Sequence, residues 1–149
     1  MSEYYNFYVD ESSKLLPKSL TVMCVDDDAG IRELYGALLG QNGYEVIAAV
    51  NGRHALHVFE TKENEIDAVI LDYEMPGMNG LELATWLKQR HPTLPVIMVS
   101  GSHPDLEQMA PFVDAAMGKG VPLRHILDRL QVLLAPSRMS TPSSIGHVQ

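Results

Sequence analysis

The sequence is poor in cysteine, in basic residues and in long apolar runs, and each shortage excludes a class of protein. Its single cysteine, Cys24, excludes an intrachain disulfide and a cysteine-rich zinc site. No apolar run approaches the ~18 residues that a bilayer-spanning helix needs. The N-terminal residues MSEYYNFYVD lack the basic start and apolar centre of a secretory signal peptide. We therefore expect a cytoplasmic protein with no membrane insertion.

The shortage of basic residues gives the chain an acidic balance. Lysine and arginine number 11, aspartate and glutamate number 19, and the formal net charge is −8. An acidic protein repels nucleic-acid phosphates and anionic lipids, so we expect no DNA binding. The 149 residues are 46% hydrophobic and 20% charged, which is ordinary for a globular protein. A chain of this length buries enough surface to form a stable core without cross-links.

Composition divides the chain into one domain and two extensions. We expect residues 1–18 to form a flexible N-terminal extension, although they contain Tyr4, Tyr5, Phe7 and Tyr8. Residues 135–149 contain several serines and prolines and show no apolar period, which predicts a disordered tail. Residues 19–134 lie between them and are the expected domain.

Inside this domain, apolar runs alternate with segments of helical spacing. The predicted strands are Leu20–Val25, Tyr44–Val50, Asp67–Leu71, Leu94–Val99 and Phe112–Met117. The predicted helices are Ile31–Leu39, Gly52–Thr61, Leu81–Gln89, Asp105–Ala110 and Leu123–Leu134. Strands that alternate with helices form a parallel sheet with helices on both faces. We therefore predict a doubly wound α/β fold with five parallel strands.

Polar residues follow four of the five predicted strands. The first strand ends in Asp26, Asp27 and Asp28, the third in Asp72 and the fourth in Ser100, and Lys119 follows the fifth. Parallel strands bring their carboxyl ends to one edge, where ligands bind in such sheets. Clustered carboxylates repel one another, and a hard cation such as Mg²⁺ relieves that repulsion.

The chemistry of a phosphoryl-transfer site fits these groups. Asp72 would then be a nucleophile that forms an aspartyl phosphate, and Lys119 and Ser100 would contact the phosphoryl oxygens. A simpler interpretation also exists for each residue taken alone. An aspartate after a strand often caps the next helix, which is the best interpretation of Asp28, and a single Lys or Ser at a strand end is often only solvated.

Four stretches of the chain carry a family resemblance. They are VMCVDDDAGIREL, DAVILDYEMPGMNGLEL, PVIMVSG and RHILDRL. From Leu20 to Leu134 the chain resembles the receiver domain of bacterial two-component response regulators, the group that includes the chemotaxis receivers. The resemblance implies the flavodoxin-like strand order 2-1-3-4-5. It also implies a phosphoprotein that is phosphorylated by a sensor histidine kinase or a histidine phosphotransfer protein.

The resemblance assigns a role to each residue at the sheet edge. Asp72 would be the phosphoacceptor, and Ser100 and Lys119 would contact its phosphoryl oxygens. Asp27 would bind Mg²⁺ directly and Asp26 through water, and Asp72 would belong to the same metal site. Glu74 would offer its backbone carbonyl to the ion, and its side chain would lie at the mouth of the pocket, where it could tune the access of water.

Three departures from the family pattern concern the surface through which a receiver signals. Ala116 stands where the family has an aromatic switch residue, three positions before the lysine. The usual Lys-Pro is Lys119-Gly120, and we expect Gly120 to loosen the loop that places Lys119. The segment from Ser100 to Lys119 is also shorter than usual. We therefore expect that phosphorylation remains available while the usual coupling of hydroxyl and aromatic is lost.

The leading hypothesis is a stand-alone receiver that signals through contacts with a downstream protein or by phosphorelay, and is not an enzyme beyond its own phosphorylation and dephosphorylation. One alternative is a haloacid-dehalogenase-like phosphatase built on the aspartate run, Ser100 and Lys119. It lacks the later acidic motif, since only Asp128 follows Lys119, and it leaves Asp72 unexplained. The other alternative is a receiver fold that serves as a binding module and is never phosphorylated.

Overall fold

A computed structural model describes residues 7–9, 15–17, 19–101 and 109–138 of the chain. Two antiparallel strands, β1 (Phe7–Val9) and β2 (Leu15–Pro17), come first, with Phe7 opposite Pro17. Part of the extension that we expected to be flexible is therefore paired.

The main sheet has five parallel strands. They are β3 (Thr21–Val25), β4 (Glu45–Ala49), β5 (Ala68–Asp72), β6 (Val96–Ser100) and β7 (Ala115–Gly118). Their spatial order is β4-β3-β5-β6-β7, which is 2-1-3-4-5 when the five are counted along the chain. All five residues of β5 and of β6 are buried, as central strands covered on both faces must be. The predicted doubly wound α/β fold is confirmed.

Helices cover both faces of this sheet. They are α1 (Ala29–Gln41), α2 (Gly52–Lys62), α3 (Gly80–Arg90) and α4 (Leu123–Arg138), and a 3₁₀ turn spans Glu63–Glu65 after α2. Phe59 of α2 and Leu83 of α3 belong to the core on one face. Leu39 of α1 and Leu130 of α4 belong to the core on the other. No helix in these described ranges is both long and apolar enough to span a bilayer.

The structure corrects the last predicted strand. It begins at Ala115, not at Phe112, because the backbone N–H groups of Phe112 and Val113 both donate to the carbonyl of Met109 and form a turn. The strand begins once Asp114 N donates to Val96 O at 2.8 Å. The predicted helix at Asp105–Ala110 lies mostly outside the described residues.

The last helix is longer than the stretch of sequence that shows helical apolar spacing. It continues to Arg138, four residues beyond the predicted end at Leu134. Our predicted start of the disordered tail, at residue 135, therefore falls within the helix. The apolar period in the sequence ends at Leu134, whereas the helical backbone continues for about another turn.

Candidate functional site

Asp72 is the last residue of β5, in the middle of the sheet, and its side chain is buried. One carboxylate oxygen, Oδ1, accepts a hydrogen bond from the backbone N–H of Glu74 at 3.1 Å. The other, Oδ2, accepts one from Lys119 Nζ at 3.1 Å. Gly80 opens α3 against this strand end, where a Cβ would collide with the carbonyl oxygen of Asp72. The backbone around Asp72 is thus tightly packed, and its carboxylate faces the carboxyl edge.

The aspartate run after β3 forms a turn whose three members differ. Asp26 is buried, and its Oδ1 accepts a hydrogen bond from Asp28 N at 2.9 Å. Asp28 caps α1, since its Oδ1 accepts from the N–H groups of Gly30 and Ile31, which confirms the predicted cap. Asp27 is exposed, and its carboxylate has no hydrogen-bond or ion-pair partner among the residues that the structure describes.

The structure brings Asp26, Asp27 and Asp72 together. Each offers one carboxylate oxygen, and these three oxygens lie within 4.8 Å of one another. Two of the three residues are buried and the third is exposed, so the cluster opens to solvent on one side. Hard divalent cations prefer carboxylate oxygens, and Mg²⁺ keeps several waters. The donor set therefore fits such an ion.

Lys119 reaches this cluster from the end of β7. Its backbone N–H donates to the carbonyl of Ser100 at 2.8 Å, which ties the turn after β7 to β6. Its Nζ lies 3.1 Å from Asp72 Oδ2 and 3.5 Å from Asp26 Oδ2. Ser100 is buried at the end of β6 and pairs with Gly118. The structure therefore places the three expected residues at the ends of three adjacent strands. Asp72 ends β5, Ser100 ends β6, and Lys119 directly follows β7.

The electrostatics of the site follow from burial and from an excess of carboxylates. Burial raises the pKa of Asp72, and the negative charge of Asp26 raises it further, although the hydrogen bond from Lys119 opposes both effects. Burial alone would lower the pKa of Lys119, but its bonds to Asp72 and Asp26 outweigh burial and raise it. One ammonium group therefore serves a cluster of three carboxylates, and a further cation would be stabilised there.

Glu74 lies two residues after Asp72 and is exposed. A Cβ built on Gly101 would stand 3.4 Å from Glu74 Oε1 and 3.9 Å from Lys119 Cδ. The Glu74 side chain therefore lies close to Gly101. Its backbone N–H is committed to Asp72.

The departures from the family pattern are visible in β7. Ala116 is half-buried, pairs with Met98 of β6 and packs against the core on the α2 and α3 face. Gly120 has no neighbouring atom within 4 Å of where a Cβ would stand. The turn is closed by a bond from Val121 N to Gly118 O at 3.1 Å. The looser loop that we expected from Gly120 stays a prediction.

Sequence reasoning did not single out two α1 residues beside the site. Arg32 Nη1 donates to the carbonyl oxygen of Asp26 at 2.7 Å. Tyr35 is buried, and burial together with the charge of Asp26 raises its pKa to about 12. The available signal was Arg32 itself, because a basic residue in the first turn of a helix opposes the helix dipole.

Comparison with known proteins decides the family. The model of the response regulator receiver domain matches residues 22–122. The chain belongs to the response regulator receiver family. This receiver is 33% identical over 124 residues to the response regulator MprA of Mycolicibacterium vanbaalenii, covering 81% of the chain and 52% of MprA. It is 33% identical over 115 residues to the sensor kinase/phosphatase LuxN of Vibrio harveyi, covering 74% of the chain and 13% of LuxN. The receiver thus spans about half of one relative and a small part of the other.

A solved response regulator structure resembles this receiver in fold. The response regulator TrrA of Thermotoga maritima, crystallised in complex with Mg²⁺ and BeF, superposes with a TM-score of 0.72. The two share 32% sequence identity, over 77% of this chain and 99% of TrrA. Receivers are signalling modules, and nothing in these comparisons supports the phosphatase alternative. In this receiver the only acidic residue after Lys119, Asp128, forms an exposed ion pair with Arg124.

Proposed function

We propose that this receiver accepts a phosphoryl group on Asp72 in a Mg²⁺-dependent reaction and passes the signal on through protein contacts or phosphorelay. The observation that carries the proposal is the position of Asp72. Its buried carboxylate lies within 4.8 Å of oxygens from Asp26 and Asp27 and is hydrogen-bonded to Lys119 at 3.1 Å. A nucleophile, a candidate cation site and a positive charge thus lie together.

The transfer needs few groups from the protein. A carboxylate oxygen of Asp72 attacks the phosphorus of the donor, the bond to the leaving group breaks, and the leaving group departs with the electron pair. Bound Mg²⁺ would neutralise charge on the transferring oxygens. Lys119 then exchanges its Asp72 partner for a phosphoryl oxygen, and Ser100 donates a hydrogen bond to another. Ser100 ends β6, which pairs with β5, and Lys119 follows β7, which pairs with β6.

The ligand roles follow from what each carboxylate is already bonded to. Asp27 is exposed and has no partner in the described part of the chain, so it is the direct Mg²⁺ ligand. Asp26 already accepts from Asp28 N and faces Lys119, so it acts mainly through bound water. Glu74 offers its backbone carbonyl to the ion, and its exposed side chain tunes the access of the water that hydrolyses the acyl phosphate.

Intact mass after incubation with acetyl phosphate and Mg²⁺ tests the proposal. We expect a mass increase of one phosphoryl group in the wild type and none in Asp72→Ala. Asp28→Ala is the matched control, because it removes a neighbouring carboxylate that serves only as a helix cap. A wild type without the adduct would instead support a receiver fold used purely for binding. An adduct that persists in Asp72→Ala would place the phosphate elsewhere.

Titration calorimetry tests the ligand roles separately. Asp27→Ala should weaken Mg²⁺ binding at least tenfold, the usual scale for loss of a metal-site residue, whereas Asp28→Ala should not. Equal affinity in Asp27→Ala and the wild type would show that the ion does not bind where we propose.

The proposed phosphoryl donor is a sensor histidine kinase or a histidine phosphotransfer protein, acting in the cytoplasm. A relative of this receiver, LuxN, is itself a sensor kinase/phosphatase, so the match occurs in a protein of that class. Transfer from a phosphorylated histidine phosphotransfer protein to the wild type, and not to Asp72→Ala, would show the exchange directly.

A further inference from the structure

Arg32 makes one contact that its position on α1 does not explain. It lies in the first turn of the helix, where the dipole disfavours a positive charge, and it is half-buried. Its Nη1 donates to the backbone carbonyl of Asp26 at 2.7 Å, a short, charge-assisted bond. This bond reaches back six residues, from the helix to the aspartate turn.

The carbonyl of Asp26 belongs to the peptide that joins Asp26 to Asp27. Because a peptide unit is planar, holding this oxygen also restricts the N–H and Cα of Asp27. Elsewhere the turn is held by Asp28 N on the Asp26 carboxylate and by the α1 cap on the Asp28 carboxylate. Among the described groups, only Arg32 holds the carbonyl side of that peptide, and the Asp27 carboxylate itself is held by none.

We propose that Arg32 is a positioning residue for the divalent cation. Its guanidinium fixes the Asp26–Asp27 peptide so that the Asp27 carboxylate stays within 4.8 Å of the other two oxygens of the cluster. The inference rests on the proposed function, since it concerns binding of Mg²⁺ at that cluster. Residues that orient metal ligands affect affinity although they never touch the ion.

The sign of the effect separates positioning from simple charge. A positive charge near a cation site repels the cation, so removal of Arg32 would tighten Mg²⁺ binding if charge alone mattered. Removal of a positioning bond releases the Asp27 backbone and weakens binding instead. A role confined to folding would lower stability and leave the affinity of the folded protein unchanged.

Calorimetric Mg²⁺ titration of the full chain tests the proposal with three variants. We expect Arg32→Met to weaken Mg²⁺ binding by roughly tenfold, the scale for loss of a metal-orienting residue. Arg32→Lys keeps the charge and one donor on a slightly shorter stem, and it should recover part of the loss. Arg53→Met removes the same charge from an exposed position on α2 and should stay within about twofold of the wild type.

Each outcome decides the matter. Affinity in Arg32→Met that equals or exceeds that of the wild type overturns the inference. If Arg32→Met does not fold, Arg32→Lys carries the test, and wild-type affinity there overturns the inference. A wild type that binds no Mg²⁺ overturns the proposed function, and the inference with it. Loss of affinity in Arg32→Met with a wild type that binds sustains the inference.

Discussion

The two edges of the parallel sheet both carry aspartates, but they use them in opposite ways. At the amino edge, Asp67 accepts a hydrogen bond from Thr21 N at 2.8 Å, and Asp114 accepts one from Val96 N at 2.8 Å. Asp114 also receives Lys88 Nζ at 2.7 Å. These carboxylates bond to N–H groups at the starts of neighbouring strands and fasten the strands to one another.

At the carboxyl edge the carboxylates outnumber the positive charges near them. Three carboxylates form a cluster in which one lysine bonds to two of them, and burial and the charge of Asp26 raise the pKa of Asp72. The same side chain therefore stabilises the fold at one edge and opposes it at the other. A carboxylate whose charge is compensated by hydrogen bonds and ion pairs within the protein stabilises the fold. A carboxylate whose charge is not compensated is available to bind a ligand.

Loss of Asp114 should have the largest effect on stability. Asp114→Ala removes the Val96 N–H bond and leaves the ammonium of Lys88, which is largely buried, with only backbone carbonyls. We expect the free energy of unfolding to fall by about 2–3 kcal/mol, as for other charged hydrogen bonds. Urea denaturation measures this, with Asp128→Ala as the control. Asp128 forms only an exposed i,i+4 pair, so its loss should cost under about 0.5 kcal/mol. Equal effects of the two variants would contradict the proposed role of the amino edge.

Alkaline pH should destabilise the protein through groups behind the carboxyl edge. Burial raises the pKa of Cys24 and of Tyr35 to about 12, above their ordinary values of 9.0 and 10.0. Both groups stay protonated longer when folded, so their stabilising contribution is complete below pH ~9 and is lost as the pH rises toward 12. For Tyr35 we expect a loss of about 1–2 kcal/mol.

Urea midpoints at pH 8, 10 and 11 would measure this loss. Tyr35→Phe is the control, because phenylalanine cannot ionise and should give a shallower dependence on pH. Parallel curves for the wild type and Tyr35→Phe would show that the hydroxyl of Tyr35 does not contribute.

The sequence predicted the centre of the sheet better than its edge. β6 is buried at every position, and its continuous apolar run is typical of a central strand. Its predicted end, Val99, differs from the observed end by one residue. β7 has only Ala, Ala, Met and Gly, whereas Phe112 and Val113 before it look more strand-like but bond to Met109. Side-chain pattern failed there because a turn, set by backbone hydrogen bonds, decides where the strand starts.

The site could be predicted as far as topology reaches. Parallel strands bring their ends together whatever the side chains are, so the meeting of Asp26, Asp72 and Lys119 follows from the order of the elements. The different roles of the aspartates do not follow from the order of the elements, because they depend on which carboxylate accepts a hydrogen bond from a backbone N–H. The hydrogen bond from Arg32 to the carbonyl of Asp26 could not be predicted either, because no periodic pattern in the sequence indicates it.

Replacing the phosphoacceptor by its amide should stabilise the apoprotein. The raised pKa of Asp72 means that its folded environment favours the neutral form, so Asp72→Asn should unfold about 2–4 °C higher, or roughly 1 kcal/mol. Lys119 keeps Asp26 as a partner at 3.5 Å. Asp67→Asn at the amino edge should have the opposite sign, because an amide is a weaker acceptor for Thr21 N than a carboxylate. Thermal unfolding of both variants measures the contrast, and a destabilised Asp72→Asn would contradict our account of the carboxyl edge.

The smallest expected effect is at β7, the edge strand beside the site. In a typical receiver the switch hydroxyl moves toward the phosphate and an aromatic ring fills the space that it leaves. Ala116 has no ring, and its neighbour in register is Met98. A phosphate shifts an equilibrium only between states that differ in their contacts with it.

We therefore expect hydrogen exchange with beryllofluoride to change little along Ala115–Met117 and α4. The larger changes should fall near Asp72, Ser100 and the turn from Gly118 to Val121, which contact or flank the pocket. A large, cooperative gain of protection along β7 and α4 would contradict this, and Tyr35, the buried α1 tyrosine influenced by the charge of Asp26, would then be the first residue to test as a substitute switch.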